Sequence, residues 1–371
     1  MVTAGHQKRM SSSSSPSLQL PQRQSLVSET IRSLRENIEA GHWHEHLPGE
    51  REMCELLQVS RRTLRGALDE LQRQGMLEVQ GRQRRRITNQ TVVADKEPPR
   101  RVIGILTPGS FLSMPPPIAY VMDTLRAKLS AAGYEVRFHS APGCYTSAPA
   151  RGLRQFIAAH PASAWLVLSA EEAMQRWLKA QNLPCLILGS SIPGVSLPSV
   201  DADFHATCRH AGALLWRKGH RRIALVLPNS HLGGDIASEA GLREALGQMP
   251  GATFKMLHHD ATTSGVCRVI DDSLKSANPP TAYIVGRSAH VLTVMMHLMR
   301  RGKRIPQDVA VLARDSDPIL DATSPNVSRY SSEPKQLAAR LITALRQLAD
   351  HGTLSTPTVR LIPVYRVGDT V

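Results

Sequence analysis

The sequence predicts a multidomain chain: a small, mostly helical unit closed by a β-hairpin, then a larger two-lobed α/β unit with parallel sheets. Three observations carry that expectation. Between Ser25 and Thr88, helical periodicity of apolar residues gives way to two short strands around a glycine turn. From Asn89 to Arg101 the periodicity is lost and Pro98-Pro99 interrupts the chain, as in a linker. From Val102 onward, short apolar runs of buried-strand type alternate with helical patterns over roughly 270 residues. That length suits two similar lobes with a ligand cleft between them. The expected organisation is a tail at 1–23, a first domain at 24–88, a linker at 89–100 and a second domain at 101–371.

The tail, with Ser11 to Ser15 and Ser17 around Pro16, holds too little apolar surface to offset its ordering entropy and is expected to be disordered. Val27, Ile31, Leu34 and Ile38 then recur at helical spacing, predicting an amphipathic helix that ends near Gly41. A short segment follows at Glu50–Leu57, then a turn at Gln58-Val59-Ser60. Ser60 is placed to cap a helix from Arg61 to about Gln74, which buries Leu64, Ala67, Leu68 and Leu71 and stops at Gly75. Strands are expected at Met76–Val79 and Arg85–Thr88, with Gln80-Gly81-Arg82 as the turn. This order is that of a winged helix-turn-helix.

In the second domain, strands are expected at 102–106, 134–139, 165–168, 185–188, 223–227, 282–285 and 309–312, with a helix through Tyr120–Ala132 after a proline-rich loop from Thr107 to Pro117.

Composition narrows the function. Lys and Arg number 45 against 31 Asp and Glu, a net charge of +14 that favours polyanionic partners. The excess is not concentrated in the first domain: residues 1–100 carry 16 basic and 12 acidic side chains, the remainder 29 and 19. No apolar run is long enough to span a membrane and no signal-like segment opens the chain, so a cytoplasmic location is expected. Five scattered cysteines without a C-x-x-C pair read as reduced thiols and not as a disulfide or zinc framework. His42-Trp-His-Glu-His46 looks like a metal cluster but falls in the loop before Leu47-Pro48, with Trp43 packing, and His258-His259-Asp260, at an expected strand end, lacks a third partner, so neither metal nor cofactor is expected. No nucleophile elbow, P-loop or dinucleotide fingerprint is present, and no enzymatic constellation is expected. The few aromatic residues argue against single-strand or RNA recognition.

A recognition helix must bring long donors to the major groove from its N-terminal half, where arginine can grip guanine O6 and N7. Arg61, Arg62 and Arg65 stand in the first two turns after Ser60, with Thr63 between them. The set Leu47-Pro-Gly-Glu-Arg-Glu52, Val59-Ser-Arg-Arg-Thr-Leu-Arg65, Ala67-Leu68, Leu71 and Gly75 resembles the DNA-binding head of GntR-family transcription regulators over residues 25–88. That resemblance implies operator contacts at Arg51, Arg61 and Arg65, with a hairpin tip near the minor groove. Gly49 replaces the family's serine, weakening a cap by a few tenths of a kcal/mol. Gln83 replaces a second wing glycine. In the wing, Gly81, Arg82 and Arg84 are candidate backbone contacts; Arg84 and Arg86 would share one face, with Arg85 opposite. Ser60, Arg62 and Thr63 complete the expected DNA surface.

In the second domain, Ser199-Val-Asp201, Lys218-Gly-His-Arg-Arg-Ile-Ala224, Gly241-Leu-Arg-Glu-Ala-Leu246 and Ile305-Pro-Gln-Asp-Val-Ala-Val311 resemble the effector domain of LacI/GalR-family regulators. The resemblance implies a periplasmic-binding-protein-like fold spanning about 101–371. It places Asp315 as a hydroxyl acceptor in the cleft. Ser238 stands where the family carries a sugar-binding arginine, and Arg287-Ser288 where it carries Asn-Asp. Ser110, in the first strand–helix loop, is expected at the cleft mouth. The non-functional alternatives are a helix cap for Asp315 and a surface pair of Arg287 with Asp317. Together these motifs predict a ligand-responsive transcription regulator. It would be a repressor that binds a near-palindromic operator in double-stranded DNA as a homodimer, modulated by a small-molecule effector such as a sugar. A constitutive DNA-binding protein, a solute-binding protein and a small-molecule enzyme are the competing classes.

Overall fold

The structure is a computed structural model and describes residues 26–39, 43, 46–73, 75–80, 84–87 and 101–371. The expected tail and linker lie outside the described residues, as do Gly81, Arg82 and Gln83. The chain separates into two compact units, Met1–Pro98 and Pro99–Val371.

In the first unit, helices α1 (Leu26–Glu39), α2 (Glu50–Leu57) and α3 (Arg61–Arg73) precede a hairpin of β1 (Leu77–Gln80) and β2 (Arg84–Ile87). The core joins Leu34 of α1, Met53 of α2 and Leu64, Ala67, Leu68 and Leu71 of α3 to Leu77 and Ile87, with Trp43 packed against it. Gly75 takes φ +72, the left-handed conformation that ends α3 at no Cβ cost. Each strand reaches one residue nearer the turn than expected, and the pairing implied by the expected bounds is kept, with Val79 opposite Arg85. Gln80 belongs to β1 and pairs with Arg84, while Leu77 pairs with Ile87. His46 adds an antiparallel bridge to Arg86, and the Leu47 amide donates to the Arg85 carbonyl at 3.0 Å. The segment before α2 thereby forms a short third rung on the wing.

The second unit is two stacked-layer lobes. Lobe 1 contains β3 (Val102–Thr107), α4 (Pro116–Ala131), β4 (Glu135–Ser140), α5 (Ala150–Ala159), β5 (Ala164–Leu168), α6 (Glu172–Ala180), β6 (Cys185–Leu188) and β7 (Ser199–Ala202). Lobe 2 contains α7 (Phe204–Arg217), β8 (Arg222–Pro228), α8 (Gly233–Gly247), β9 (Thr253–His259), α9 (Thr263–Leu274), β10 (Ala282–Val285), α10 (Ser288–Arg300), β11 (Ala310–Ala313) and β12 (Ser328–Ser331). The chain then returns to lobe 1 for α11 (Pro334–His351) and β13 (Thr358–Leu361), and ends on lobe 2 with β14 (Val364–Arg366). Three crossovers, near residues 203, 332 and 363, therefore join the lobes. The sheet orders are β13-β7-β6-β5-β3-β4 and β14-β12-β11-β10-β8-β9. Only β14 runs antiparallel to its neighbour.

Each sheet is covered on both faces, which is why its strands read as unbroken apolar runs. In lobe 1, α4 and α11 cover one face and α5 and α6 the other. In lobe 2, α9 and α10 lie opposite α7 and α8. The helix after β3 begins at Pro116, four residues before the expected Tyr120. Its first-turn N–H groups need no intrahelical partner, so prolines fit there. The four short strands β7, β12, β13 and β14 carry no continuous apolar run, and their pairing comes from the crossovers instead of from local pattern.

Helices α7 and α8 meet at Gly241, where an added Cβ would lie 2.1 Å from the His205 carbonyl oxygen. A backbone atom cannot rotate away. Gly241→Ala is therefore expected to lose about 1–3 kcal/mol through forced separation of the two helices, read as a lower urea midpoint at unchanged slope.

Candidate nucleic-acid interface and ligand cleft

In the first unit, Ser60 caps α3 as its sequence position predicts: the Thr63 amide donates to Ser60 Oγ at 3.1 Å, and the two hydroxyls lie 2.8 Å apart. Gly49 caps α2 with no side-chain bond. With the first turn of α3 fixed, Arg61 and Arg62 project into solvent, and neither has a carboxylate partner among the described residues. Together with Val27, Thr63, Arg65, Gly66 and Asp69 they line an open groove. Arg65 Nε donates to Glu50 Oε2 at 2.9 Å. Arg51 is exposed and makes only a 3.4 Å contact with Glu55 on its own helix.

The alternation expected in β2 is present for Arg85 and Arg86: Arg86 is exposed, whereas Arg85 turns inward. Arg85 Nη2 donates to Asp69 Oδ1 at 3.2 Å, and its Nη1 lies 3.8 Å from Glu50 Oε1. Arg84 has its backbone in β2; its side chain lies outside the described residues. Glu50 and Asp69 thus fasten the wing and Arg65 to one another. Sequence reasoning missed both acids because their partners are fifteen and sixteen residues away, outside any helical spacing.

In the second unit, loops after β8, β10 and β11 converge at the carboxyl edge of lobe 2, the position where open parallel sheets take ligands. Asp235, in the first turn of α8 and 5 % exposed, sits at the centre. Arg287 donates to it twice, Nη1 to Oδ1 at 2.8 Å and Nη2 to Oδ2 at 2.6 Å. Arg314 Nη1 donates to Oδ1 at 2.8 Å, and Ser230 Oγ to Oδ2 at 2.6 Å. Burial by itself would raise the Asp235 carboxyl; Arg314 and Arg287 outweigh it and hold it below the usual carboxylate range.

Arg314 is 2 % exposed, stacks over Phe204 at 4.1 Å, and also donates to Ser238 Oγ at 2.8 Å. Burial disfavours its charge, but Asp315 and Asp235 more than restore it and keep it fully ionised. Nε of Arg314 is buried without a partner.

The expected ligand residues are therefore arranged differently from their sequence reading. Ser238 is fully buried and committed to Arg314 and to the Gly234 carbonyl, so it supports the floor and does not line an open surface. Arg287 pairs with Asp235 instead of Asp317, whose carboxylate caps the turn at Pro318–Ala322. Asp315 is half-buried, 3.4 Å from Arg314 Nη2, and caps no helix. Ser110 is exposed at the start of the Phe111–Ser113 turn in lobe 1, and its carbonyl accepts from Ser113 Oγ at 2.7 Å. Asp235 and Arg314 were missed. A charge immediately after the wholly buried strand at Ala310–Ala313 was the available signal, since it must find a buried partner.

Where the lobes meet, α8 approaches lobe 1 closely. A Cβ on Gly233 would lie 2.4 Å from the Ser190 carbonyl oxygen, and one on Gly234 3.4 Å from Asp201 Oδ2. Asp201 accepts from Ser190 Oγ at 2.7 Å and from the Ala202 amide at 2.8 Å. Burial nevertheless raises its carboxyl to about 6. A carboxyl raised on folding favours the folded state while protonated, so this contribution fades as pH rises from about 4 through about 6. The difference in Tm between Asp201→Asn and the wild type is expected to move in the variant's favour across that window and to level off above it.

His259 closes β9 and lies against His290 of α10, ring centroids 4.6 Å apart. Burial, with His290 and Arg287 adding to it, lowers His259 to about 4. Asp260 is engaged by Thr262. Among the described residues, no three His, Cys, Asp or Glu side chains are arranged to hold a metal ion, and no helix is long and apolar enough to cross a membrane.

Comparison with known proteins follows the same division. Residues 26–87 match the model of bacterial regulatory proteins of the gntR family, and residues 212–371 match a periplasmic binding protein-like domain. The chain is 25% identical over 202 residues to the HTH-type transcriptional regulator CelR of Thermobifida fusca, covering 53% of this chain and 58% of that one. It is 24% identical over 182 residues to the HTH-type transcriptional regulator AscG of Escherichia coli (strain K12), covering 48% and 54%. It thus spans a little over half the length of these curated relatives. Among solved structures, the transcription regulator CcpA of Lactococcus lactis superposes with TM-score 0.64 at 14% identity, covering 73% of this chain and 99% of that one. A transcriptional regulator CelR–cellobiose complex superposes with TM-score 0.63 at 19% identity, covering 85% and 92%. At those identities the likeness concerns the fold. The chain joins a winged-helix head that matches the gntR family model to a two-lobed, periplasmic-binding-protein-like domain.

Proposed function

We propose that the chain is a ligand-responsive transcription regulator that binds operator DNA through its head and a small molecule through the cleft of its second unit. The observation that carries the reading is the first turn of α3, where a capped helix presents Arg61 and Arg62 without carboxylate partners among the described residues and holds Arg65 beside them. Arginines so placed can take guanine edges, while Arg51 and the wing residues Gly81, Arg82 and Arg84 serve phosphates. The molecule acts as a cytoplasmic homodimer on a near-palindromic site. Leu112, Met296, Met299 and Ile319, all largely exposed, supply apolar surface for that pairing. It represses, and it catalyses no reaction.

Asp315 offers a carboxylate to an effector hydroxyl, beside Arg287, with Ser110 across the cleft. The bound cellobiose of one structural relative and the ribose of another LacI family transcriptional regulator from Enterococcus faecium favour a sugar. Coupling is reciprocal: an effector that weakens operator binding tenfold is itself bound tenfold more weakly by the DNA complex, about 1.4 kcal/mol.

A second reading, a constitutive DNA binder, is favoured by one observation: Asp235 in the cleft floor is already satisfied from within the chain, by Arg287, Arg314 and Ser230. Selection of DNA sites from a random library at fixed salt, repeated with a panel of sugars, separates the two. A short near-palindrome weakened by one sugar is the expected result. A site indifferent to every ligand would leave the constitutive reading, and no enriched site would overturn both.

A further inference from the structure

The positive charge of the chain lies mostly outside the head, and much of it gathers at one end of lobe 2. β8, β10 and β11 are adjacent and parallel, with Ile223, Ala282 and Ala310 in register. The loops that lead into them therefore emerge together, at the end opposite the cleft. They are knitted into one surface: Arg222 Nε donates to the Pro279 carbonyl at 2.8 Å, His220 Nδ1 lies 3.1 Å from the Thr281 hydroxyl, and the Ala310 amide donates to the Thr281 carbonyl at 2.9 Å.

Onto this surface the sequence places Arg217, Lys218, Arg221 and Arg222 before β8, Lys275 before β10, and Arg300, Arg301, Lys303 and Arg304 before β11. Opposing them are Asp271, Asp272 and Asp308. Arg301 is held by Asp271 and Arg304 by Asp308, while Arg221 stacks on Trp216 at 4.5 Å. Arg217, Lys218, Lys275 and Arg300 are exposed and make no ion pair among the described residues, while half-buried Lys303 shares the field of Asp308 with Arg304. The C-termini of α7, α9 and α10 end here, and basic residues suit helix C-termini. Each macrodipole is worth only about half a charge, so three of them leave most of the cluster uncompensated.

From this arrangement we infer a second nucleic-acid contact: the amino-end face of lobe 2 binds the phosphate backbone of duplex DNA without reading its sequence. An unpaired cluster of exposed Lys and Arg is what counterion release rewards, and the aromatic ring beside it, Trp216, is engaged by the Arg221 guanidinium. This contact is independent of the operator reading by the head.

The test uses the full chain. Replacing Arg51, Arg61, Arg62, Arg65, Arg82 and Arg84 together by Ala disables the proposed head contacts, and binding to a random-sequence duplex is followed by fluorescence anisotropy from 50 to 200 mM salt. The head-disabled chain is expected to keep salt-sensitive binding that falls on the order of a hundredfold over that range, as about four phosphate contacts require. Adding Arg217→Glu, Lys218→Glu, Arg300→Glu and Lys303→Glu should abolish it. A control that reverses exposed Arg151, Arg154, Arg340 and Arg346 in lobe 1 changes net charge equally and should retain most of it. In the otherwise wild-type chain, the same reversal in lobe 2 should lower random-duplex affinity and leave operator preference unchanged. Equal losses in both reversals would overturn the proposal in favour of net charge alone. No binding by the folded head-disabled chain at 50 mM salt would also overturn it. Face-dependent retention on polyglutamate without duplex binding would reassign the partner as an acidic protein. Absence of any operator site in the wild type would count against the regulator reading instead.

Discussion

Asp235→Ala is expected to destabilise the second unit by about 3–5 kcal/mol, because it leaves buried Arg314 with Asp315 alone, at 3.4 Å, and strips Arg287 of its ion pair in the same step. For a unit of this size the loss corresponds to a Tm lower by on the order of 10 °C. Asp235→Ala combined with Arg314→Met should recover part of it, since removing both charges spares the desolvation of an unpaired one. A double mutant no better than the single would mean that the network is not what holds the site. The pH dependence has a definite sign. The Asp235 carboxyl is lower in the folded state than its ordinary value. Its contribution is therefore complete above about pH 4 and is lost as pH falls through the lowered folded value. Acid titration of stability should show that loss in the wild type and not in Asp235→Ala.

Arg65→Ala is expected to weaken binding to the selected operator by roughly ten- to a hundredfold, about 1–3 kcal/mol, if its guanidinium takes a guanine edge. Thermal stability should scarcely change, because Arg65 is exposed and its pair with Glu50 is a surface pair. Specificity distinguishes this from a phosphate contact: selection with Arg65→Ala should relax one position of the site, whereas a phosphate contact would weaken all sequences alike and reduce the salt slope. Glu50→Gln tests the fastening of Arg65. It removes the charge that orients Arg65 and Arg85 while leaving both arginines in place, so it should relax specificity more than it lowers affinity for random duplex.

The head was legible in the sequence because its determinants are local. The Ser60 cap, the burial of Leu64, Ala67, Leu68 and Leu71, and the left-handed Gly75 each follow from neighbours within one or two helical turns. The layered α/β nature of the second unit was legible for a related reason: a strand covered on both faces must be apolar throughout, as at Ala164–Leu168 and Ala282–Val285. The wing pairing was legible too, and only the strand bounds moved, because Gln80 and Arg84 still pair across the turn. Strands β7 and β12 to β14 escaped because they are short, partly polar, and paired through crossovers.

By itself, then, the sequence determined the two-unit plan, the capped arginine-bearing helix and the doubly covered sheets, all of which rest on periodicity and capping over a few residues. Only the tertiary structure decided what the charged residues do. Asp235 meets Arg287 and Arg314 from 52 and 79 residues away, and Glu50 meets Arg65 and Arg85 across the head. Ser238 lies beneath the cleft floor as a strut, and Asp201 is half-buried where the lobes meet. A buried charge must be paired, but which of many distant partners pairs with it depends on which strand ends the sheet order brings together, and no local pattern encodes that order.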